Sequence, residues 1–78
     1  MRKRLPASRL HDLLVREFRN TAGDHCLRCG IPMPSYFAGA RKGPNWRIDM
    51  PQECSTLCHT IIADVAAKLA ERYDLDPP

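Results

Sequence analysis

Four cysteines stand in two pairs, Cys26-Leu27-Arg28-Cys29 and, after 24 intervening residues, Cys54-Ser55-Thr56-Leu57-Cys58. Thiolates are soft ligands, and two such pairs brought together form the closed tetrahedral set that holds a structural zinc ion. Sulfurs separated by two residues reach one ion when the backbone turns tightly, and Gly30, directly after Cys29, can take the positive φ of such a turn. Cys54 and Cys58 are four apart, the spacing that stacks two side chains on one face of a helix. Near a helix start, free N–H groups and the positive dipole end favour thiolate over thiol. The expected cofactor is therefore one structural Zn2+ on Cys26, Cys29, Cys54 and Cys58. His25 and His59 each adjoin a cysteine, which leaves a set of three cysteines and one histidine open; Cys58 rather than His59 shares the face of Cys54. The competing reading takes the cysteines as small core residues or as oxidised pairs, for which four thiols allow three connectivities.

A site of this kind needs elements that bring residues 26–29 to residues 54–58. Ser8 is a candidate N-cap for a helix over 8–20, with Leu10, Leu13, Leu14 and Phe18 in one stripe and Arg9, Asp12, Arg16, Glu17 and Arg19 on the other side. Asn20 to Asp24, with Gly23 among them, stops it. Residues 31–48 hold Pro32, Pro34, Gly39, Gly43 and Pro44 among the β-formers Tyr36, Phe37, Trp46 and Ile48, a pattern for a β-hairpin. Its polar tip, 41–45, places Arg41 and Lys42 in solvent. Asp49 and Gln52 resemble a capping box for a long second helix reaching Tyr73, striped by Leu57, Ile61, Ile62, Val65 and Leu69. The expected fold is a small α+β domain stapled by zinc: helix, cysteine knuckle, β-hairpin, long C-terminal helix. Residues 1–7 read as a basic flexible arm, 8–73 as the single zinc-binding domain and 74–78 as a short tail. Leu10, Leu14, Phe18, Trp46, Ile48, Ile61, Val65 and Leu69 are the expected core.

With 78 residues there is room for one domain, and a chain of this size buries too little apolar surface to be robust without a staple. A hydrophobic fraction of 44% with 27% charged residues excludes a chain disordered throughout, and no apolar run approaches a bilayer-spanning length. Met1-Arg2-Lys3-Arg4 resembles the start of an export signal, but Pro6, Ser8, Arg9, His11 and Asp12 break the apolar stretch that should follow. No export and no membrane partner are expected. A reducing cytoplasm is the expected compartment, where four cysteines favour metal ligation over disulfides. The net charge of +3 is unevenly spread: residues 1–48 carry ten Lys/Arg against three Asp/Glu, and residues 49–78 two against six. Such polarity suits either an anionic polymer or a protein partner of complementary charge.

A Cys-x-x-Cys-Gly turn (Cys26, Cys29, Gly30), a β-hairpin, then a helix carrying Cys54 and Cys58 resembles the treble-clef group of zinc fingers over residues 26–73. The second pair is spaced by three residues where two are more usual in that group. The resemblance implies a zinc-held scaffold that hosts nucleic-acid binders, protein-binding modules and nucleases, so function must come from the residues. Arg2, Lys3, Arg4 and Arg9 at one end, and Arg41, Lys42 and Arg47 about the hairpin, are the candidate nucleic-acid contacts, with Tyr36 or Trp46 to stack on a base. The favoured reading is a nucleic-acid-binding or transcription-associated zinc module; the alternative is a zinc-stabilised protein-interaction or regulatory module. Neither catalysis nor a small-molecule substrate is expected. A redox Cys-x-x-Cys normally opens a helix in a larger βαβ unit, and His25, Asp24, Asn45 and Asp49 do not have the spacing of a nuclease cluster.

Overall fold

The computed structural model describes residues 3–23, 30–37, 44–51 and 55–77. Within them the chain is a small α+β domain of two helices and two small sheets. Strand β1 (Lys3–Leu5) leads into helix α1 (Ala7–Ala22); β2 (Ser35–Tyr36) and β3 (Trp46–Arg47) form an antiparallel pair; helix α2 (Thr56–Ala70) is followed by β4 (Tyr73–Leu75).

Helix α1 starts one residue earlier than the pattern predicts, so Ser8 lies in the first turn and is not the cap. Pro6 is the N-cap, held extended at φ −65° and ψ 156°, and its carbonyl accepts the first intrahelical bond from Leu10 N at 3.1 Å. Proline is well suited here because its missing N–H would have had no helical partner. At the other end Gly23 sits at φ +58°, where a side chain would be strained, and its N–H donates to the Arg19 carbonyl. Leu10, Leu14, Phe18 and Ala22, each four residues apart, form the buried stripe.

Helix α2 is shorter than expected at both ends. Its N-cap is Ser55, whose Oγ accepts from the Cys58 N–H, not Asp49 with a reciprocal Gln52. A cap within the Cys54–Cys58 pair therefore sets the boundary, and Asp49, Met50 and Pro51 lie outside the helix. After Ala70 the Arg72 N–H turns back to the Leu69 carbonyl at 3.0 Å, releasing Tyr73 to begin a strand. The buried stripe of α2 is Cys58, Ile62, Val65 and Leu69. It packs against the stripe of α1, with Ile31, Trp46 and Leu75 completing the core. Ile48 and Ile61, expected inside, are only half-buried, and Leu57 is 59% exposed because it lies off that stripe.

The N-terminal and C-terminal segments were expected to lie outside the fold, as arm and tail. Instead β1 and β4 pair in parallel, Lys3 opposite Tyr73 and Leu5 opposite Leu75. Lys3 N donates to Arg72 O at 3.0 Å and Asp76 N to Leu5 O at 2.8 Å. The free edge of β4 is closed by side chains. Asn45 Nδ2 donates to the Leu75 carbonyl at 2.8 Å while its Oδ1 accepts from Leu75 N at 2.7 Å, and Trp46 Nε1 donates to the Tyr73 carbonyl at 3.0 Å. One amide thus supplies both halves of a strand partner to a buried residue. Asn45→Ala leaves that N–H and C=O unpaired, and we expect a loss of about 2 kcal/mol, roughly a 10 °C fall in Tm by thermal denaturation.

Candidate metal centre and basic surface

Of the four predicted zinc ligands, Cys26, Cys29 and Cys54 lie outside the described residues, as does His25. Cys58 is the third residue of α2 and only 3% exposed, on the stripe that faces α1. The cap residue serves it twice: Ser55 Oγ accepts from the Cys58 N–H at 3.3 Å and donates its own hydrogen toward Cys58 Sγ at 3.2 Å. Cys58 is disulfide-bonded in this structure, and its partner sulfur lies outside the described residues. Among the described residues there is no group of three or more His, Cys, Asp or Glu able to hold a metal. A cysteine sulfur, once reduced, is a soft ligand of the kind that suits a soft cation.

His59, the alternative ligand next to Cys58, points elsewhere. Its Nε2 donates to the Pro51 carbonyl at 2.6 Å, tying the approach segment to the first turn of α2. That bond occupies one ring nitrogen in shaping the chain, whereas Cys58 faces inward. His59→Ala is expected to cost about 1 kcal/mol of stability in a denaturant titration. His11 is half-buried and donates from Nε2 to the Ile31 carbonyl at 2.8 Å, pinning the segment that carries β2 against α1.

The predicted nucleic-acid contacts divide into separate places. Arg2, Arg41 and Lys42 lie outside the described residues. Lys3 and Arg9 line one groove of about 370 Å³ beside α1, together with Arg16 and Tyr73, which the sequence reading had not included. Arg4 is exposed and alternates away from Lys3 along β1. Arg47 is exposed on β3 and borders a different, largely apolar cleft of about 230 Å³ with Ile48, Met50 and Ala66. Trp46 is not a stacking platform: it is 2% exposed, with its indole N–H bonded to β4. Tyr36 is half-buried. The missed groove residues left a weak trace in the sequence, because Arg9, Asp12, Leu13 and Arg16 share one helical face, but nothing marked Tyr73 as lying beside them.

No helix among the described residues is long and apolar enough to cross a membrane. Compared with protein-family models, with curated proteins and with solved structures, the chain matches none.

Proposed function

We propose that the chain is a small non-catalytic module, shaped in a reducing cytoplasm by one structural zinc on Cys26, Cys29, Cys54 and Cys58, that binds nucleic acid through its basic N-terminal half. The observation that carries the metal half is Cys58, buried at the start of α2 and in a disulfide, with the paired spacing of the four cysteines. Cysteines that pair by oxidation can serve as ligands to a soft cation when reduced. An antiparallel strand pair precedes the helix that bears Cys58 near its start, although Gly30, expected at positive φ in the cysteine turn, does not adopt it. When bound, the ion supplies no chemistry beyond cross-linking the connection between α1 and α2. The binding half is supported by Lys3 and Arg9, which come from separate elements to one groove.

The test of binding is incubation of reduced, zinc-loaded protein with mixed DNA and RNA oligonucleotides at low and moderate salt. Retention at low salt that falls steeply as salt rises is the expected outcome; no retention at low salt contradicts it. The second reading, a protein-interaction module, is favoured by the apolar cleft beside Arg47, whose Met50 is 39% exposed. A stable protein partner recovered without nucleic acid would select that reading.

A further inference from the structure

The groove beside α1 is built from both ends of the described sequence. Lys3 and Leu5 project on one side of β1, Tyr73 stands opposite Lys3 in the parallel register, and Arg9, Leu13 and Arg16 rise along one face of α1. The lining thus combines cations with apolar and aromatic residues. Asp12 is the groove's one carboxylate against three cations. No ion pair among the described residues engages Lys3, Arg9 or Arg16. Arg9 and Arg16 are two helical turns apart, roughly 10 Å along the axis, so the cations are strung out and not focused on a point. A row of separated cations matches a polyanion with repeated charges better than a lone small anion. Tyr73 is half-buried, lines this groove and also borders a second cleft. An aromatic surface beside a cationic track is the arrangement by which unpaired bases stack while their phosphates are neutralised; a duplex keeps its base faces covered.

We propose that this groove binds single-stranded nucleic acid, with successive phosphates on Lys3, Arg9 and Arg16 and a base against Tyr73. The inference rests on the nucleic-acid reading above and names its surface and strand type. Asp12 opposes the bound phosphates and sets an upper limit on affinity.

Fluorescence anisotropy with a labelled short oligothymidine and the matching duplex, using reduced zinc-loaded protein, tests it. The single strand should bind more tightly than the duplex, with log K falling against log salt at a slope of about −2, as three phosphate contacts require. Arg9→Gln with Arg16→Gln should weaken binding about tenfold at low salt and flatten the slope by about 1.4. Tyr73→Leu should weaken it about fivefold or more with little change in slope. Arg47→Gln, at the other cleft, should reduce affinity by less than about twofold, and Asp12→Asn should tighten binding by about threefold, a gain that misfolding cannot mimic. Unchanged oligothymidine affinity in the double variant, with an intact thermal transition, overturns the groove and leaves the nucleic-acid reading standing. No binding of any oligonucleotide by the native chain overturns both. A duplex that binds as tightly as the single strand, or polyglutamate that competes at equal charge, overturns the assignment to unpaired nucleic acid.

Discussion

Cys58→Ser is expected to remove most of the folded population of the reduced, zinc-loaded protein. A structural zinc site contributes an apparent free energy on the order of 10 kcal/mol, while a domain of ordinary stability has a total margin of about 5–15 kcal/mol. Losing a proposed ligand that also belongs to the α2 core stripe should remove much of that margin in one step. Ser55→Ala takes away only the cap and the hydroxyl contact to the sulfur, so its cost should be about 1 kcal/mol. In the oxidised chain the same Cys58→Ser change deletes a disulfide and costs about 2–4 kcal/mol. Denaturant titrations of both variants, with zinc under reducing conditions and without it under oxidising ones, separate these cases. A Cys58→Ser protein as stable as Ser55→Ala in the zinc-loaded state would mean that the sulfur is an ordinary core group.

Deleting residues 1–5 is expected to cost on the order of 3 kcal/mol, although composition alone marks this stretch as a dispensable basic arm. Deletion removes a parallel ladder, the bonds from Lys3 N to Arg72 O and from Asp76 N to Leu5 O, and the partial burial of Leu5 against the core. It also exposes one side of β4, whose other side is held by Asn45 and Trp46, so Leu75 loses cover that keeps it 3% exposed. Thermal denaturation should show a fall in Tm of about 10–20 °C. A change of less than about 2 °C would show that β1 contributes nothing to the fold. Because Lys3 leaves with the deletion, oligothymidine affinity should fall as well, by about threefold at low salt.

Periodicity made the helices legible and left the short strands hidden. Leu10, Leu14 and Phe18 repeat at four residues and lie buried on α1 as that spacing requires. The β-formers around Tyr36 and Trp46, bounded by prolines, correspond to β2 and β3. Lys3-Arg4-Leu5 and Tyr73-Asp74-Leu75 are too short for a two-residue alternation to stand out, and their pairing depends on elements some seventy positions apart in sequence. Tyr73 also continues the apolar spacing of α2, which made it look helical. The start of α2 was misplaced for a local reason: Asp49 and Gln52 have capping chemistry, but Ser55 has it as well and directly receives the Cys58 N–H.

The candidate sites were legible to different degrees. The burial of Cys58 follows from its position on the α2 stripe, although that stripe runs through Ile62 and not the expected Ile61. The set Cys26, Cys29 and Cys54 falls outside the described residues, so the ligand arrangement rests on spacing and on the bonded state of Cys58. Charge counting found the basic half but could not sort it. Lys3 and Arg9 share a groove while Arg47 belongs to another surface, a division created by the β1–β4 pairing that sequence did not reveal.

The most direct test of the account is native mass spectrometry of freshly reduced protein with added zinc, coupled to alkylation of its thiols. The account predicts one zinc per chain, protection of Cys26, Cys29, Cys54 and Cys58 together, and loss of both zinc and protection on chelation. A chain that stays metal-free while all four thiols alkylate readily, with its helix and strand signals intact, would contradict it.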